Sequence, residues 1–212
     1  MKTIRYPVTF ALVLISAAAC GAPESYDVVI ANGRVIDPET GFFAPANLGI
    51  RDGLIAAISD DAMDGLRVID ATGHVVAPGF VDLHEHGQNE ESYALMVRDG
   101  VTTALELEVG TGDVDAWYAE REGGQIVNYG VSIGHVQVRM DVMDDPGTGL
   151  VPAGIGGYGS ATDEHLDEME RRVRLGLDQG ALAVGFGSAY TPGAEMSEIR
   201  RLFGVAAEYD AP

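Results

Sequence analysis

Only one cysteine, Cys20, and one lysine, Lys2, occur in the 212 residues, and both lie within the first twenty. With no cysteine pair, disulfides do not hold the fold together. Basic residues are scarce as well: 13 against 33 acidic ones, a formal net charge of −20 at pH 7. A surface of that sign excludes nucleic acid as a partner and reads as solubilising acidity. The uncharged run from Val8 to Ala19 is shorter than the roughly 20 residues needed to span a bilayer.

That run is still informative. It follows Lys2 and Arg5 and ends in Ala17-Ala18-Ala19-Cys20-Gly21, the build of a secretory signal peptide over residues 1–20. The small residues before the cysteine resemble a bacterial lipoprotein signal, in which Cys20 is lipidated and becomes the new N-terminus. Position 17 is Ala rather than the usual Leu, and ordinary cleavage nearby is the alternative. The expectation is a secreted, periplasmic or cell-envelope protein that meets the membrane only through its N-terminal lipid. Processing leaves roughly 190 residues, enough for one domain of moderate size or for a small domain and part of a larger one.

Two rhythms follow. Over residues 25–75, short β-branched runs (Val28-Val29-Ile30, Arg34-Val35-Ile36, Leu48-Gly49-Ile50, Leu54 to Ile58, Val68-Ile69) alternate with the turn pairs Asn32-Gly33, Asp37-Pro38 and Asp52-Gly53, predicting a small antiparallel β domain. Over residues 76–212 the pattern becomes strand, loop, helix, repeated four times, which predicts an α/β domain with a parallel sheet. Strands are expected at Val81–His86, Val101–Glu108, Tyr129–His135 and Leu182–Phe186, and helices near Ser92–Arg98, Val114–Arg121, Asp163–Asp178 and Glu195–Glu208. The third helix is the best marked: Thr162 is its N-cap, Asp163 and Glu164 lie in its first turn, Gly180 lies past its end, and Leu166, Met169, Val173 and Leu177 form a core-facing stripe. The Gly- and Pro-rich segment 144–160 is long for a compact domain and reads as an active-site loop, with a partly mobile segment as the alternative.

Chemistry concentrates at the predicted strand ends. In Asp82-Leu83-His84-Glu85-His86, strand alternation puts Asp82, His84 and His86 on one face. Two imidazoles so spaced suit one divalent ion such as zinc, with Asp82 a candidate to orient a ring. Glu106 and Glu108 share a face of the second strand, where two carboxylates need a cation or a wet strand end, and Glu108, nearer the C-terminal end, is the better candidate ligand. At the third strand end, His135 and Arg139 are candidates to meet an oxyanion or a substrate carboxylate. Tyr190, in Gly185-Phe186-Gly187-Ser188-Ala189-Tyr190-Thr191-Pro192-Gly193, is a candidate pocket wall.

Together with Val29 to Asp37, Ala77-Pro78-Gly79-Phe80-Val81-Asp82 through His86, Gly100-Val101-Thr102-Thr103, and Gly180-Ala181-Leu182, these residues resemble the amidohydrolase superfamily, and within it the N-acyl-D-amino-acid deacylase (D-aminoacylase) branch. The resemblance covers nearly all of the chain after the signal. It implies a β-sandwich segment beside a TIM-like (β/α) barrel, one or two zinc ions held by His84 and His86, and hydrolysis of the amide of a small N-acyl amino acid. Alternatives of the same chemistry are hydantoinase- or dihydroorotase-like enzymes and dipeptidases, and one of a different class is a non-catalytic envelope lipoprotein. Many relatives bridge two metals with a carbamylated lysine, but the only lysine here is Lys2. Deacylases place a cysteine ligand at the end of the second strand, where this sequence has Glu108-Val109 and Glu108 is the candidate substitute.

The family's remaining metal histidines and its proton-shuttling aspartate fall on later strands. The chain is therefore expected to hold about four of eight barrel units, to carry no catalytic aspartate before Pro212, and to be inactive by itself. Robust amide hydrolysis by purified residues 21–212 would refute that expectation.

Overall fold

The structure, a computed structural model, describes residues 25–212, and the chain divides after Pro78 into two units. The expected signal segment, residues 1–20, and the expected lipidation site Cys20 lie outside the described residues. No helix among those described is long and apolar enough to cross a membrane.

The first unit is a five-stranded sheet built around β1 (Tyr26–Asp37). β2 (Phe42–Arg51) pairs antiparallel with β1, and β3 (Leu54–Ser59) antiparallel with β2. The Asp52-Gly53 hairpin is as expected: both residues have positive φ, 52° and 75°, the geometry of a tight turn whose twist matches the strands. Two expectations are corrected. β4 (Gly65–Asp70) and β5 (Val75–Val76) pair with β1 in parallel, so the sheet is mixed, not antiparallel. Asn32-Gly33 is not a turn between strands but an irregularity inside β1. Asn32 takes φ 63° there, its backbone N–H donating to Asn47 Oδ1 at 2.8 Å and its side-chain amide to Asp70 Oδ1 at 3.0 Å. These polar anchors replace the ladder bonds lost at the bulge.

The second unit holds four parallel strands in consecutive order: β6 (Phe80–Asp82), β7 (Val101–Thr111), β8 (Asn128–Gly134) and β9 (Val184–Gly185). The connections carry α1 (Glu90–Arg98), α2 (Val114–Ala119), α3 (His135–Val142), the single turn α4 (Ile155–Tyr158) and α5 (Asp163–Asp178); α6 (Met196–Glu208) follows β9. α5 starts at Thr162, whose hydroxyl accepts the His165 N–H while the His165 ring accepts the Thr162 N–H, a reciprocal cap. Its stripe of Leu166, Met169 and Val173 is buried with Val131 and Ile133 of β8 and with Leu202, Val205 and Ala206 of α6. Each of the Val, Ile, Leu and Met side chains contributes about 1.5–3 kcal/mol.

The strands differ from expectation at their C-terminal ends. β6 ends at Asp82, whose carboxylate accepts the backbone N–H of His84 at 3.0 Å, and pairing with β7 continues beyond it only as an isolated bridge between His84 and Glu106. In β7, the register with β8 passes from Glu106↔Val131 to Thr111↔Ile133, so Leu107 to Gly110 bulge out opposite Ser132. The bulge lies on a floor of glycines. Gly110 has φ 64°, and a Cβ there would sit 2.6 Å from the Ser132 carbonyl. A Cβ on Gly185 would sit 2.6 Å from the Leu107 and Glu108 carbonyls, and one on Gly134 would fall on the Val109 carbonyl oxygen. α3, which begins directly after Gly134, escapes the periodicity argument because its buried residues include His135 and Arg139 beside Val136, Val138 and Met140.

Gly134→Ala is expected to destabilise the protein by about 1–3 kcal/mol in urea unfolding, since the added methyl must displace backbone. Gly204→Ala in α6, where a Cβ meets nothing within 4 Å, is the neutral or stabilising control.

Candidate metal centre

The strand-end devices bring three predicted residues together. Beyond Asp82, Glu85 N–H donates to the Leu105 carbonyl at 3.1 Å, which keeps the His-containing segment beside β7. His84 Nε2 and His86 Nε2 lie 3.1 Å apart with their rings nearly perpendicular, at 80°. Glu108 Oε2, carried on the β7 bulge, lies 3.1 Å from the first nitrogen and 3.4 Å from the second. Ligands about 2.0–2.1 Å from one tetrahedral ion stand roughly 3.3 Å from each other, so all three separations match one ion's coordination shell. Glu108 Oε2 is also buried with no hydrogen-bond partner, a costly state for a carboxylate oxygen unless a cation faces it.

Glu106 completes the arrangement in a way the sequence did not reveal. It is 4% exposed; one carboxylate oxygen accepts the Val109 and Gly110 N–H groups at 3.1 and 3.3 Å, and the other meets His86 Nδ1. One side chain thus fixes both the bulge that carries Glu108 and the ring of His86. With the Nδ1 proton held by Glu106, the His86 Nε2 lone pair is free to face a metal. The hydrogen bond to Glu106 holds the His86 pKa above its ordinary value against the opposing effect of burial, and Glu106, Glu108 and Glu85 add their charges. This corrects the ring-orienting role considered for Asp82, whose carboxylate instead caps the His84 backbone.

His135 and Arg139 are placed differently from the substrate contacts expected of them. Both are completely buried on the first turns of α3, around Glu198 of α6, itself 1% exposed. His135 Nε2 lies 2.7 Å from Glu198 Oε1, and Arg139 Nη1 donates to both Glu198 oxygens. Arg139 Nε donates to the Gly156 carbonyl at 2.6 Å and Nη2 to the Gly159 carbonyl. A guanidinium so enclosed is an internal strut joining α3, α6 and the end of segment 144–160, and it has no surface to offer a ligand. Burial pushes the Glu198 carboxyl up, but the hydrogen bonds from His135 and Arg139 and the Arg139 charge outweigh it and hold the group below its ordinary value.

Tyr190 lies in a 3-10 turn, Ser188–Tyr190, and is 39% exposed, open to a ligand. The segment 144–160 is organised by Asp145, a buried carboxylate that accepts backbone N–H groups from Gly147, Ala153, Gly154 and Gly156 at 2.8–3.4 Å. Its glycines and prolines thus serve to wrap the chain around one anion.

No family model matches the sequence. Over 87% of its length the chain is 29% identical to an N-acyl-D-glutamate deacylase of Alcaligenes xylosoxydans xylosoxydans, of which it covers 42%. It is 30% identical, over 81% of its length, to a D-aminoacylase of the same organism, of which it covers 40%. Among solved structures, the N-acyl-D-glutamate deacylase of Bordetella bronchiseptica, complexed with zinc and a phosphonate that mimics the tetrahedral intermediate, matches with a TM-score of 0.73 and 28% identity over 87% of this chain and 44% of that one. The chain therefore spans about two fifths of the length of the curated relatives it matches.

Glu198→Gln should cost about 3–5 kcal/mol at neutral pH by leaving Arg139 buried without its counter-charge. The folded-state pKa of Glu198 lies below 4.5, so its stabilisation is complete above that value and is lost as pH falls through the folded pKa. The gap between wild type and variant in urea unfolding is expected to narrow on acidification below pH 4.5; a gap independent of pH would contradict the assignment.

Proposed function

From its homology to the N-terminal part of N-acyl-D-amino-acid deacylases, which are amidohydrolases, we propose that this chain supplies the first metal-binding segment of an enzyme that hydrolyses the amide of small N-acyl-D-amino acids. The observation that carries the reading is the convergence of His84 Nε2, His86 Nε2 and Glu108 Oε2 within 3.4 Å of one another. The consecutive parallel order of β6 to β9, and the close approach of β7 and β9 across β8, support a sheet that curls as part of a (β/α) barrel.

In this reading His84, His86 and Glu108 hold one zinc ion, with a second ion as the alternative stoichiometry. A zinc ion bound there supplies Lewis-acid polarisation of the scissile carbonyl and acidifies water. The protein's own part is positional. Glu106 keeps the His86 proton on Nδ1, the glycine floor sets the height of Glu108, and Tyr190 offers a partly exposed aromatic wall for substrate.

Metal analysis of the purified protein tests this. Wild type is expected to retain zinc after dialysis, His86→Ala and Glu108→Gln to lose it, and Glu106→Gln to bind it roughly 10–100-fold more weakly. Zinc retained equally by all four proteins would contradict the assignment.

A further inference from the structure

We propose that Gln88 is a positioning residue for the His84–His86 pair, held through both ends of its side-chain amide and through its backbone carbonyl so that the segment leaving β6 keeps one course. The proposal rests on the metal reading above. Gln88 Nε2 donates to the Glu85 carbonyl at 2.9 Å, closing a loop that encloses His86. Gln88 Oε1 accepts the hydroxyl of Tyr93, a residue of α1 that is 1% exposed, at 2.5 Å. The Gln88 carbonyl accepts Arg121 Nη2 at 3.2 Å.

Arg121 is itself fixed. Its guanidinium lies 3.7 Å from the centre of the Trp117 ring, its Nη1 donates to the Trp117 carbonyl at 2.7 Å, and its own carbonyl accepts the Tyr129 hydroxyl at 3.1 Å. The clamp therefore ties the metal-binding segment to α1, α2 and β8.

The need for such a clamp follows from exposure. The His84 and His86 side chains are 64% and 35% exposed, so packing around the rings does not fix them. Glu106 holds one ring, and the spacing between the two nitrogens then depends on the backbone from Asp82 to Gln88. An amide suits position 88 because it presents a donor to Glu85 and an acceptor to Tyr93 at once. A glutamate of the same shape would turn a carboxylate oxygen toward the Glu85 carbonyl.

The test is titration of the metal-free chain with Co2+, followed by its visible absorption, together with thermal unfolding of the metal-free proteins. Gln88→Glu and Tyr93→Phe are expected to weaken cobalt binding roughly 10-fold and to alter the band shape, while the unfolding temperature of metal-free Tyr93→Phe stays near wild type. His86→Ala separates the two layers of the argument. If it abolishes binding while Gln88→Glu and Tyr93→Phe bind as wild type does, the clamp is wrong and the metal site stands. A lowered unfolding temperature with unchanged affinity makes the contacts purely structural and also overturns the clamp. If wild type binds no cobalt, or His86→Ala binds it equally well, the metal reading falls and the clamp with it.

Discussion

The Glu106 carboxylate is the interaction on which the site depends. It is nearly inaccessible to water, and its desolvation is offset from two directions: backbone N–H groups of the β7 bulge on one oxygen and the His86 imidazole on the other. Without it the bulge has no anchor for its turn and His86 has no fixed tautomer, and the two halves of the candidate metal shell, one on each strand end, lose their common reference. Gly110, Gly134 and Gly185 are the steric side of the same constraint, since each lets the bulge lie closer to β8 and β9 than a side chain would allow.

A second buried carboxylate, Glu198, plays a corresponding part away from the metal-binding residues. Such an ion pair is seldom the most stabilising way to fill a core, because both charges leave water. Here it does something an apolar contact would not: a single guanidinium with directed donors joins α3, α6 and two backbone carbonyls of the segment that follows α3. Fixing the start of α3 also fixes Gly134, which seats the β7 bulge, so this strut supports the strand end from behind.

What was legible in the sequence follows the range of the forces involved. α5 could be read from Thr162, its acidic first turn and its apolar stripe because all are local signals; His84, His86 and Glu108 stood out as residue types near strand ends, but alternation does not account for their convergence, since β6 stops at Asp82 and Glu108 sits on the β7 bulge. The role of Glu106 could not, since regular alternation does not announce a bulge that folds backbone amides onto a carboxylate. Glu198 gave no signal because its partners lie 59 and 63 residues away. α3 was missed because charged residues occupy its buried side, and the parallel pairing of β4 with β1 was missed because turn residues mark where strands end without stating which way the next one runs.

Zinc-edge X-ray absorption of the zinc-loaded protein tests the central claim most directly. The account predicts a shell containing two imidazole nitrogens and a carboxylate oxygen at about 2.0–2.1 Å. A shell of oxygen atoms alone, without the outer scattering of histidine rings, would contradict it.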